Sequence, residues 1–298
     1  MIRTFARHAG QFVVAAAIAI APVQASVAAP DKAFVWKVES SSNTLYLLGS
    51  IHVLQASDYP LDEEMQAAFA DAEHVIFEID ISESGNQQAQ ALALQKARPD
   101  RDDETLVEAL SESTYALAQE KAAELGVPIE AFHPFEPWFF SLALVVTKMQ
   151  MLGFDPRYGV DRHFFQQALD SDKGILSLET YQDQLAMLDG LPGSNQDDYI
   201  RQTLDEMDAL ETSLQQMVAA WKAGDSELLE EFIFASYEQY PEIYQRVFTD
   251  RNLNWLDTLE DLIGRDDDYL AVVGAGHLIG QDGLVNLLRA KGYRVEQQ

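Results

Sequence analysis

Two short segments of this chain repeat one pattern. Gly49-Ser50-Ile51-His52 and Gly274-Ala275-Gly276-His277 each place a histidine three residues after a glycine, and each follows an apolar run. Two glutamates are placed in the same way: Glu78 follows Val75-Ile76-Phe77, and Glu179 follows Ile175 to Leu178. Imidazole titrates nearest to neutrality, so a histidine oriented by a carboxylate is an acid/base pair. The same four residues, His52, Glu78, Glu179 and His277, are also a workable ligand set for a divalent metal in a chain without cysteine. Taken singly, each has a plainer reading. A buried histidine is a hydrogen-bonded side chain, and a strand-end glutamate caps the next helix. The repeated placement is what points to a shared site.

The glycines of the two histidine segments suit a strand that turns sharply into a loop, because glycine takes unusual backbone angles at little cost. They also let backbone N–H groups approach a ligand. Arg251-Asn252 is a basic and amide pair in an acidic helical region near Trp255. It suits an anionic group of a substrate or intermediate, or else a buried ion pair with one of the many acids. The remaining histidines carry less. His74 precedes a strand and reads as surface, His133 lies in a Phe-His-Pro loop, and His163 stands beside Asp161 and Arg162 as a candidate member of a salt-bridge set.

The elements that must position these residues are legible as alternating runs. Residues 34–38 and 44–48 read as a hairpin around Ser40 to Asn43. Val75 to Ile79, Gly174 to Leu178 and Tyr269 to Val273 read as buried strands, and Tyr293 to Val295 as a short closing strand. Helical patterns cover 62–72, 86–152 with breaks near Arg98-Pro99 and Val127-Pro128, 160–169, 195–263 and 282–290. This order predicts an α/β fold: a mixed, largely parallel central sheet flanked by helices, with a helical insertion between the N- and C-terminal strands. In such a sheet all four candidate residues fall at the C-terminal strand ends, where open α/β sheets bind ligands.

The chain has 298 residues and 49 acidic against 20 basic side chains, with a pI near 4.3. That balance argues against nucleic acid as a partner, since phosphates are repelled. The absence of cysteine excludes a thiol nucleophile, thiolate metal ligands and disulfides. At the N-terminus, Arg3 and Arg7 precede an apolar run from Val13 to Ala21 and then small residues near Ala25 and Ala29. This is the layout of a secretory signal peptide over residues 1–25. An uncleaved N-terminal anchor is the rival reading, although the run is shorter than a span of about 20 residues. The expectation is a single α/β domain over 26–298, exported, periplasmic in a Gram-negative source, and without a membrane span in the mature chain.

Together these segments resemble the TraB/GumN family, which includes the animal TIKI proteins. The matching stretches are Leu47 to His52, Phe77-Glu78, Tyr158-Gly159-Val160-Asp161, Leu178-Glu179-Thr180, Arg251-Asn252, Val273 to Leu278 and the tail from Gly283 to Val295. The resemblance is strongest to the bacterial GumN-like branch and covers nearly all of the mature chain. The family's usual basic-Pro-Trp segment reads Glu136-Pro137-Trp138 here, so no role passes to Glu136. The resemblance implies that His52, His277 and Glu78 are the hallmark residues. It further implies hydrolysis: metal-dependent proteolysis with manganese or cobalt as in TIKI-like members, or metal-free ester hydrolysis as in the related erythromycin esterase-like enzymes. Zinc suits the same donors. On this basis the chain is expected to be a metal-dependent hydrolase, a peptidase first of all. His52, Glu78 and His277 would hold metal or activate water, Glu179 would be a weaker ligand, and Arg251 and Asn252 would stabilise charge on the carbonyl oxygen. The alternatives are a metal-free esterase-like hydrolase with His52 as base, or a non-catalytic binding or chaperone-like protein. The implied substrate is a peptide or a small ester.

Overall fold

The computed structural model describes residues 32–101, 104–186, 196–235, 237 and 240–298. The signal segment expected at 1–25 lies outside the described residues. The chain is organised in two compact units, one formed by Ile81–Phe154 with Tyr181–Glu211, the other by residues 32–80, Asp155–Thr180 and Thr212–Gln298.

The second unit holds the sheet. Its strands are β1 (Val35–Glu39), β2 (Thr44–Ser50), β3 (His74–Phe77), β4 (Gly174–Ser177), β5 (Tyr269–Gly274) and β6 (Arg294–Gln297). They lie in the order β4-β3-β5-β2-β1-β6. The first four in that order are mutually parallel, while β1 is antiparallel to both β2 and β6. The expected mixed, largely parallel sheet is therefore present, with one hairpin and the C-terminal strand closing one side. The central strand β5 is buried at every position, as a continuous apolar run between two parallel neighbours requires. One strand departs from expectation. β4 was expected to be buried, but it is the edge of the sheet, with Leu176 40% exposed. A four-residue apolar run does not reveal how many neighbours it has.

Helix Val160–Asp170 packs on β3 and β5, and Asp250–Ile263 lies against β2. The second of these continues from Pro241–Tyr244 through a wider π-type stretch at Gln245–Thr249. Such stretches locally re-aim the residues that follow and concentrate at functional sites. From Phe248, the residues Arg251, Asn252 and Trp255 recur at i+3, i+4 and i+7, which is one helix face.

The first unit is the helical insertion, and it enters in two pieces, before and after β4. Its core gathers Phe132, Phe135, Phe139, Phe140 and Leu144 with Ala118, Ala122, Ile200 and Leu204. The helices Glu83–Lys96 and Glu112–Glu124 begin at Ser82 and Ser111, whose hydroxyls accept the N–H of Gly85 and Thr114. The expected breaks near 98 and 128 occur. A further break falls before Pro137, where Glu136 is extended and the proline opens helix Pro137–Met151. Proline forces its predecessor out of the helical region and is well placed at the first helical position. Among the described residues, no helix is long and apolar enough to cross a membrane.

Candidate active site

The parallel strands deliver the four predicted side chains to one edge. Ser50 pairs with Gly274 and Phe77 with both Val272 and Ser177, so His52, Glu78, Glu179 and His277 all follow neighbouring C-terminal strand ends. The ladder continues one step past β3 and β4, where the N–H of Glu179 donates to the carbonyl of Glu78 at 2.9 Å. The glycines of the histidine segments are not there for unusual backbone angles. Neither Gly49, Gly274 nor Gly276 takes a positive φ. What matters at Gly274 is proximity. A Cβ there would lie 3.2 Å from Glu78 Oε1, 3.4 Å from His52 Nε2 and 3.6 Å from His277 Cδ2, so glycine leaves a cradle between the three side chains.

Arg251 is the hub of the cluster. Its Nε donates to both oxygens of Glu179, each at 3.1 Å. One terminal nitrogen, Nη2, donates to Glu78 Oε2 at 2.5 Å and Glu179 Oε1 at 2.7 Å. The other, Nη1, donates to His277 Nε2 at 2.7 Å and the carbonyl of Val247 at 3.2 Å. A guanidinium has five N–H donors, and every one is engaged within the protein. Trp255 covers it with the ring face 4.5 Å from Cζ and donates its indole N–H to Glu179 Oε2.

The tautomer of His277 follows. Arg251 can only donate, so Nε2 of His277 accepts, and the ring proton sits on Nδ1 and is donated to Asn252 Oδ1 at 2.7 Å. Asn252 in turn donates to the carbonyl of Asp282. Burial and the adjacent Arg251 cation both hold the His277 pKa well below its ordinary value. For Glu78, burial pushes the pKa up, but Arg251, the cationic His52 and the Gly274 N–H at 2.7 Å on Oε1 outweigh it, and the carboxyl is held well below the usual carboxylate range. Glu179 goes the other way, raised by burial beyond what Arg251 and Trp255 return.

His52 is the accessible member, with its side chain 19% exposed against 1% for His277. Its Nδ1 donates to Asp161 Oδ1 at 2.9 Å, and Nε2 stands 4.0 Å from Glu78 Oε1. Burial lowers its pKa, yet the Asp161 ion pair and the Glu78 charge prevail and raise it to about 9. In the sequence, Asp161 stands beside His163 and within the family-like Tyr158-to-Asp161 stretch, but with no role assigned to it. Its position depends on Gly159, where a Cβ would collide with the His52 carbonyl at 2.3 Å, and on the Val160 N–H donating to Ile51 O at 3.1 Å. The glycine immediately ahead of the helix start was the available signal. Among the described residues His163 joins no salt bridge; its Nε2 bonds to the amides of Gln66 and Gln167. His74 pairs with Asp267 at the surface, and His133 with the Tyr115 hydroxyl.

Three of the four expected metal ligands, Glu78, Glu179 and His277, therefore direct donor atoms at a guanidinium. The pair facing the cradle is His52 Nε2 and Glu78 Oε1, whereas zinc sites use three or four protein ligands. Among the described residues no group of three or more His, Asp or Glu is arranged to hold an ion. As arranged, this donor set does not fit a resident divalent metal. Arg251 and Asn252, expected to receive charge from a substrate, have their donors engaged with Glu78, Glu179, His277, Val247 and Asp282.

An α/β sheet carrying a buried ionic and histidine cluster at its parallel strand ends defines the class. The model of the TraB/PrgY/gumN family matches residues 34–297, and the chain belongs to that family. It is 29% identical over 245 residues to Uncharacterized protein YbaP of Escherichia coli (strain K12), over 82% of this chain and 87% of that one. The same figures hold for Uncharacterized protein YbaP of Shigella flexneri. No solved structure matches it significantly.

Proposed function

We propose that this protein is a hydrolase of a carbonyl bond, an ester or a peptide, that works without a resident metal and uses His52 as its proton-transfer group. The observation that carries this reading is the arrangement of the His52 ring: Nδ1 donates to Asp161 at 2.9 Å and Nε2 is directed towards Glu78 Oε1 at 4.0 Å. A ring anchored at Nδ1 carries its lone pair on Nε2 when neutral, which is the form a general base requires. A water lying between Nε2 and Glu78 Oε1 is within hydrogen-bond reach of both.

In this mechanism His52 Nε2 takes a proton from that water as its oxygen forms a bond to the carbonyl carbon. The tetrahedral intermediate then collapses, and the leaving alkoxide or amine takes the proton back from Nε2. Glu78 aligns the water, and the Arg251 hub holds Glu78 and His277 in register. Such pre-positioning is a large part of what a site contributes to rate. The metal-dependent reading would require Arg251 to surrender three acceptors before an ion could take them.

Purified protein assayed with p-nitrophenyl acetate and a mixed peptide library is the direct test. Turnover that survives exhaustive chelation and is abolished in His52→Ala supports the proposal. Turnover that depends on added metal, or persists in His52→Ala, overturns it. We also place the protein outside the cytoplasm, on the strength of the basic, apolar and small-residue layout of its first 25 residues. Fractionation of expressing cells and N-terminal sequencing of the product test that.

A further inference from the structure

Ser50 is 2% exposed, and among the described residues its hydroxyl has no hydrogen-bond partner. A buried hydroxyl without a partner loses its hydration and gains nothing in return, which costs about 1–3 kcal/mol. Such a group calls for an explanation, and its location supplies one. Ser50 ends β2 and is paired in register with Gly274 of the parallel neighbour β5. Paired residues on adjacent strands direct their side chains to the same face of a sheet. On that face, the direction a side chain would take from Gly274 leads to Glu78 Oε1, His52 Nε2 and His277 Cδ2, all within 3.6 Å of a Cβ built there. The Ser50 hydroxyl therefore flanks the cradle that the missing Gly274 side chain leaves open.

The neighbouring donors are already engaged. The Gly274 N–H is given to Glu78 Oε1, and Arg251 gives all five of its N–H groups to protein acceptors. We infer that Ser50 is a substrate-binding residue: its hydroxyl donates a hydrogen bond to a polar ligand atom seated in front of Gly274, the carbonyl oxygen of the bond to be cleaved. The assignment of that atom as a carbonyl rests on the hydrolase reading above; the assignment of Ser50 as a ligand-facing donor rests on burial and register alone. As charge grows on the oxygen during attack, the hydrogen bond from the Ser50 hydroxyl strengthens, and no covalent bond to Ser50 is made or broken.

The test separates a ligand-facing hydroxyl from a structural one. Ser50→Ala removes a buried polar group that the free protein leaves unpaired, so its Tm should equal or exceed that of the unsubstituted protein. Its kcat/KM on p-nitrophenyl acetate should fall about 100-fold, in the range for loss of one oxyanion donor, and Ser50→Thr should restore most of it. A lower Tm in Ser50→Ala overturns the inference whatever the kinetics, and so does an unchanged kcat/KM. If the unsubstituted protein turns over no ester or peptide, the hydrolase reading fails, and a crystal structure of the full chain decides Ser50 separately. A non-protein atom within hydrogen-bond distance of Ser50 Oγ supports the inference, and an Oγ bonded only to protein overturns it.

Discussion

Arg251 Nη1 and His277 Nε2 lie 2.7 Å apart, and because the guanidinium can only donate, this one contact decides the protonation of the second signature histidine. It leaves His277 neutral, with its proton on Nδ1 toward Asn252. The two histidines that look equivalent in the chain are thus electrically opposite. His277 is held neutral by a cation, and His52 is drawn toward its charged form by an anion.

Replacing Arg251 should show how much of the site depends on it. In Arg251→Met, Glu78 and Glu179 become buried carboxylates without a counter-ion, and breaking such a pair costs about 3–5 kcal/mol. Urea denaturation should show a loss of that order. Arg251→Lys should recover only part of it, since an ammonium has three donors and no planar fork with which to bridge two carboxylates and an imidazole. Full stability in Arg251→Met would mean that the cluster does not exist in solution.

The pH dependence of catalysis should report the His52–Asp161 pair. With the His52 pKa near 9, a general base acts only when deprotonated. Log kcat/KM should therefore rise with pH and level off above about 9. Asp161 is what raises that pKa against burial, so in Asp161→Asn the rising limb should move to lower pH. The plateau should fall on the order of 100-fold as the ring loses its orienting partner. A limb that stays in place in Asp161→Asn would sink this assignment.

Stability should depend on pH through the same two rings, with opposite signs. His52 has a folded pKa above its ordinary 6.5, so its contribution is complete below about pH 6.5 and is lost as pH rises through about 9. His277 has a folded pKa well below 6.5, so its contribution is present above about 6.5 and is lost as pH falls. In Tm measured against pH, His52→Gln should flatten the alkaline decline, and His277→Gln should flatten the decline on the acid side of 6.5. Unaltered slopes in both variants would refute the electrostatic picture.

Metal content offers an independent check on the hub. Protein purified without added metal and analysed by plasma mass spectrometry should contain far less than one equivalent of manganese, cobalt or zinc. Exhaustive chelation should leave both Tm and turnover unchanged. A stoichiometric ion whose removal lowers Tm would show that Arg251 is displaced in the working protein.

Much of the architecture was legible because its signals are local. Strands β2, β3 and β5 contain contiguous apolar runs, the breaks near 98 and 128 lie at prolines, and the four candidate side chains were marked by following such runs. The edge position of β4 was not legible, since a run of apolar residues does not disclose which strands flank it. The break before Pro137 was missed although its cause, a proline and its constrained predecessor, is written in the chain.

By itself, then, the sequence determined which residues would reach the strand ends, because the apolar runs and the alternation of strands with helices are written along the chain. Only the tertiary structure decided what those residues do to one another. Asp161 meets His52 across 109 positions, and Arg251 meets Glu78 across 173. Whether a carboxylate stabilises a ring's charge, or a guanidinium suppresses it, depends on contacts of a few ångströms between buried groups. No spacing along the chain encodes such contacts.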